Sequence, residues 1–80
     1  MDDYYQTGDL YFAAYLMVAG VEYHDMVCDD GDSNRMVFEF ESQGHQAMQA
    51  LKRDYFSGKA KVPAKAYADA IRNMKSLLHM

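Results

Sequence analysis

The chain has one cysteine, one proline, five glycines and no tryptophan in 80 residues. A lone cysteine, Cys28, excludes an internal disulfide and suits a reducing compartment. So little proline and glycine exclude a fibrous or disordered chain. The longest apolar run, Leu10 to Ala19, is ten residues. That is too short to cross a bilayer, and no signal peptide precedes it. At this length there is no room for a second domain. The expectation is one soluble domain over residues 1–80, with a polar leader at 1–6, in the cytoplasm and away from membranes. Motifs are missing as well. There is no glycine-rich phosphate loop, nucleophile elbow, catalytic carboxylate pair or redox cysteine pair. No enzyme activity, catalytic residue, cofactor or metal is therefore expected.

What is present is a surplus of large side chains. Half the residues are hydrophobic, and seven Tyr, four Phe and seven Met are among them. Such side chains bury much area each, which helps a chain whose core is necessarily small. They also suit a binding surface. Charge is unevenly distributed. Residues 1–41 hold ten carboxylates against Arg35 alone, a net of −9. Residues 42–80 hold seven cations against Asp54 and Asp69, a net of +5. A folded chain is then expected to show an acidic and a basic face, favouring head-to-tail association or a charged partner.

The periodicities predict an α+β domain in the order α-β-β-α-α, with a β-hairpin packed on helices. Thr7 or Asp9 can cap a first helix that Gly20 ends, since a side-chain oxygen there accepts a free first-turn amide. Leu10 to Ala19 is apolar on every side, which predicts a helix buried all round. Val21–Cys28 and Arg35–Glu41 read as strands joined by the turn-rich stretch 29–34. Pairing residues whose numbers sum to 63 puts Tyr23 opposite Phe40 and Val27 opposite Met36. It collects Val21, Tyr23, Val27, Met36, Phe38 and Phe40 on one side, apolar except for Asp25, and packs that side on the first and third helices. His24 then faces Glu39 on the other side. A second helix is expected from Ser42 or Gln43 to Phe56, and a third from Pro63 to about Leu78, carrying the stripe Tyr67, Ala70, Ile71, Met74, Leu77 and Leu78.

Four constellations merit weighing against plain structural roles. Asp30, Asp32 and Asn34, with Glu41 eleven residues after Asp30, have the spacing of a calcium loop. Arg35 occupies the position that needs glycine, so an acidic hairpin turn is the better reading. His24, Cys28 and Glu39 could share the outer hairpin face, but a zinc or nucleophilic site needs further ligands or a base–orienter pair. A surface His–Glu pair and a half-buried thiol suffice. Lys59, Lys61, Lys65, Arg72 and Lys75 could form a basic strip for nucleic acid. A solvated helix face is preferred, because the net charge is negative and no aromatic platform interleaves the cations. Asp2, Asp3, Asp25, Asp29, Asp30 and Asp32 could imitate phosphates, although a net charge of −4 is mild for that role.

The block Thr7-Gly8-Asp9-Leu10-Tyr11-Phe12-Ala13-Ala14-Tyr15-Leu16, closed by Gly20, resembles an uncharacterised family of short phage- and prophage-associated proteins that open T-x-D-L-x-x-A-A-Y-L. Tyr55-Phe56-x-Gly58, Val62, Pro63 and Met74 to Leu78 extend the resemblance over most of the chain. It implies a phage or mobile-element setting in a bacterial cytoplasm and carries over no catalytic residue. The functional expectation is a non-enzymatic accessory protein that binds another protein, with inhibition of a host defence complex as one concrete version. Tyr4, Tyr5 and Tyr23 would be anchors, beside Asp25, Asp29, Asp30 and Asp32. The alternative is a nucleic-acid-binding accessory protein using the basic strip. A homo-oligomer, most simply a dimer, is expected, because the first helix has more apolar faces than so few elements cover.

Overall fold

The computed structural model describes residues 4–29 and 32–79. Its elements are β1 (Tyr4–Thr7), α1 (Leu10–Val18), β2 (Tyr23–Asp29), β3 (Asp32–Glu41), α2 (His45–Phe56) and α3 (Ala64–Leu78). The fold is α+β, three helices on an antiparallel sheet of order β1-β3-β2. The expected order lacked the first strand. Tyr4 to Gln6, assigned to a leader, are hydrogen-bonded to β3 with Tyr5 opposite Phe40 and Thr7 opposite Phe38. Four residues are too few to show alternation by themselves, and their partner lies over thirty positions away.

Both ends of α1 are fixed by local chemistry. The Asp9 carboxylate accepts the amides of Tyr11 at 3.0 Å and Phe12 at 3.1 Å. Thr7 Oγ1 in turn accepts the Asp9 amide. At the other end Gly20 takes φ +92°. That left-handed turn lets the Gly20 amide reach Met17 O and the Val21 amide reach Leu16 O, satisfying carbonyls the helix leaves open. Val21 is thereby delivered into the core. Phe12, Ala13, Ala14, Tyr15 and Leu16 are buried, but the helix is not enclosed on every side. Tyr11 is 50 % exposed. The sheet, α2 and α3 occupy three sides of a short helix, and the side bearing Tyr11 meets solvent.

The hairpin departs from the expected register in an informative way. Tyr23 faces Phe40 as expected, but beyond it Asp25 faces Glu39, Met26 faces Phe38, Val27 faces Val37 and Cys28 faces Met36. An irregularity between Tyr23 and Asp25 adds one residue to β2. In the uninterrupted register Asp25 would face the core. The extra residue turns Asp25 outward, puts Met26 opposite Phe38 in its place, and moves Val27 from opposite Met36 to opposite Val37. The Met26 amide donates to Asp25 Oδ1 at 2.8 Å, a local bond at the irregularity. Phe38 and Phe40 are fully buried on the central strand. Met48 of α2 and Ala70 and Met74 of α3 complete the core. α2 begins at His45, after Gly44 at φ +96° rather than at Ser42 or Gln43. Pro63 caps α3 from just outside.

Candidate functional site

The outer face of the sheet gathers the polar side chains that β1, β2 and β3 direct away from the core. Register places Tyr4 opposite Glu41 and Gln6 opposite Glu39 on β1–β3, and Asp25 opposite Glu39 on β2–β3. Gln6 Nε2 donates to Glu39 Oε2 at 2.8 Å. His24 Nε2 lies 3.7 Å from Glu39 Oε1. The His24 imidazole is also stacked on the Tyr4 ring, with centroids 4.3 Å apart and planes 19° apart. Tyr4 is on one edge strand and His24 on the other, so the two rings meet across the central strand. Beneath this pair the Glu39 side chain retains 14 % exposure. Tyr4 itself is 40 % exposed.

Asp25 adds a carboxylate opposite Glu39, beside the Gln6 and His24 that Glu39 already engages. The Glu41 amide donates to Glu22 O at 2.9 Å, which sets Glu22 beside Glu41. Like charges directly across a ladder cost stability. A cationic surface laid over them would offset that cost.

The proposed anchors are separated by this arrangement. Tyr4 presents its ring outward, whereas Tyr5 and Tyr23 are half-buried on the core side. Tyr5 packs edge-on to Phe12 and Tyr23 edge-on to Phe40. Burial raises the pKa of both phenols, with the Asp25 charge a lesser cause at Tyr23. Asp25 belongs to the outer face, Asp29 and Asp32 end their strands, and Asp30 lies outside the described residues, as do Asp2 and Asp3. The calcium-type stretch is interrupted in the same way.

Cys28 is parted from His24 by the β2 irregularity. It stands opposite Met36, with Sγ 3.6 Å from Met36 Sδ, on the side away from Glu39. Among the described residues no group of three His, Cys, Asp or Glu side chains is placed to hold a metal. On α3, Lys65 Nζ lies 3.3 Å from Asp69 Oδ2, and Arg72 pairs with the same carboxylate. Lys59, Lys61 and Lys75 are exposed.

Four features escaped sequence reading. The Tyr4–His24 stack depends on β1, whose pairing has no local signal. A tyrosine group forms where α1, α2 and α3 meet: Tyr67 O–H donates to Tyr11 O at 3.1 Å, and Tyr55 lies beside it. Burial first, and the neighbouring Tyr67 hydroxyl second, push the Tyr55 phenol up to about 12. Phe56 is 61 % exposed although its ring rests on Phe12 and Tyr55. Its place in a predicted helix gave no indication of this. A shallow cleft of about 370 Å³ also opens between the end of α1 and α2, lined by Gly20, Val21, Gln43, Ala47, Leu51 and Asp54. Its lining is mainly small and apolar.

Residues 2–80 match the model of a family described as Domain of unknown function (DUF5659), and the chain belongs to that family. No curated protein and no solved structure matches it. No helix among the described residues is long and apolar enough to cross a membrane.

Proposed function

We propose that this member of the DUF5659 family is a non-enzymatic binding module that docks on a basic protein surface through the outer face of its sheet. The observation that carries the reading is the stacked Tyr4–His24 platform, with Asp25 opposite Glu39 and Glu22 beside Glu41 around it. Aromatic side chains with a polar tip, held rigidly and ringed by charge, are the usual anchors of protein interfaces. Complementary charge around them steers encounter and suppresses wrong partners. The likeness to short phage proteins supports a phage or mobile-element setting in a bacterial cell, with a host defence complex as one partner of the right chemistry.

The basic strip gives the nucleic-acid reading less support. Lys65 and Arg72 are both engaged by Asp69, which neutralises part of the strip. The test is capture from a bacterial lysate by the immobilised chain, with Glu22→Lys and Tyr4→Ala variants alongside. Retention of a basic protein that is lost in high salt and lost with either variant is the expected result. Retention unchanged by both variants would sink the assignment of this face. Gel shifts with DNA and RNA at low salt are expected to show no complex. A complex abolished by Lys65→Glu/Arg72→Glu would favour the nucleic-acid reading instead.

A further inference from the structure

We infer that the end of α2 around Phe56 is a second docking surface and that its occupant is the acidic sheet face of another copy of this chain. This rests on the reading of the sheet face given above and adds the identity of one partner. Among the described residues Phe56 is the most exposed of the large hydrophobic side chains. It is also held in place, because its ring lies 5.8 Å from that of buried Phe12 and edge-on to Tyr55 at 4.9 Å. A fixed apolar ring in water carries a standing cost that docking removes. Lys52 and Arg53 lie four and three residues before it on the same helix, both exposed, so one turn of α2 presents two cations beside the ring.

The complementary surface is on the same polypeptide. Residues 42–80 carry a net of +5 and residues 1–41 a net of −9. The outer sheet face sets Glu22 beside Glu41 and Asp25 opposite Glu39 around the Tyr4–His24 stack. Both the sheet's outer face and the Phe56 end of α2 are directed away from the shared core, so one copy cannot join its own two surfaces. A second copy can. The contact joins different patches on the two partners; two such contacts made reciprocally close a two-fold dimer, and single contacts propagate into a ring or open chain.

The experiment is light scattering of the full chain over a concentration series, at about 50 mM and about 500 mM salt. The wild-type chain is compared with Lys52→Glu/Arg53→Glu and with Glu22→Lys/Glu41→Lys. Circular dichroism checks that each is folded. The expected result is concentration-dependent association at low salt, weakened at least about tenfold by high salt or by either double reversal. Mixing the two reversed variants restores pairing, because the exchanged charges again match, and a merely damaged fold would not be restored. A wild-type chain that stays monomeric at low salt overturns this pairing and leaves the sheet face available to a different protein. Association lost with the α2 reversal but indifferent to the sheet reversal overturns the acidic face as occupant, and with it the proposed role of that face. Failure of the mixture to associate overturns the pairing too.

Discussion

Asp9 shows how much one side chain settles. Its carboxylate accepts two amides of the first turn of α1. Asp9→Ala is expected to cost about 1 kcal/mol in urea unfolding, while Asp9→Asn, which keeps an accepting oxygen, costs less. The phenols give a second residue-scale prediction. Tyr5, Tyr15 and Tyr23 are raised above the ordinary tyrosine value of 10.0 by burial, and Tyr55 reaches about 12. A group whose folded pKa lies above its unfolded value contributes stability while protonated. That contribution is complete below pH 10 and is lost as pH rises through about 12. Ultraviolet titration of tyrosinate is expected to show late-titrating phenols, with unfolding midpoints falling over the same range. Tyr55→Phe should retain the ring packing and remove the latest-titrating phenol.

Among elements, β3 is the organising strand. It is paired on both sides, by β1 and β2, and carries Phe38 and Phe40 into the core. Phe38→Ala or Phe40→Ala is expected to cost about 3–5 kcal/mol, enough to unfold a chain of this size. Far-UV circular dichroism and urea melts check this, and unchanged midpoints in both variants would contradict the inward placement. The alternation of Met36, Phe38 and Phe40 with Val37, Glu39 and Glu41 made this strand legible in the sequence. Its partners were less so. The β2 irregularity follows from a tertiary conflict: Asp25 cannot face Phe38 on the core side, and the chain inserts a residue rather than bury a charge.

At the scale of the molecule, the division of charge along the sequence follows the elements. The strands carry five of the twelve carboxylates and only one cation, Arg35, whereas α2, α3 and their link carry the other seven cations against two carboxylates. With a net charge of −4 at pH 7, uniform mixing would leave affinity for anion exchangers alone. Separate faces predict adsorption to both anion and cation exchangers at low ionic strength, each reversed by moderate salt. Retention on the cation exchanger should be lost with Lys52→Glu/Arg53→Glu.

The sequence by itself determined α1 and its ends, the alternating strand β3, the stripe of α3 and the asymmetry of charge. Each of these is written within a few residues, as a cap, a glycine stop, a period or a count. Only the tertiary structure decided what depends on partners remote in the chain. Tyr4 to Thr7 became a strand because β3 offered it an edge, and that strand carries Tyr4 onto His24. Cys28 left the face of His24 because one inserted residue reverses the side to which every later side chain points. Tyr11 reached solvent because three neighbouring elements cannot enclose every side of so short a helix as α1, and Phe56 is exposed at the last residue of α2. Period and composition specify which residues prefer burial, and the number and placement of packing partners decide which of them achieve it.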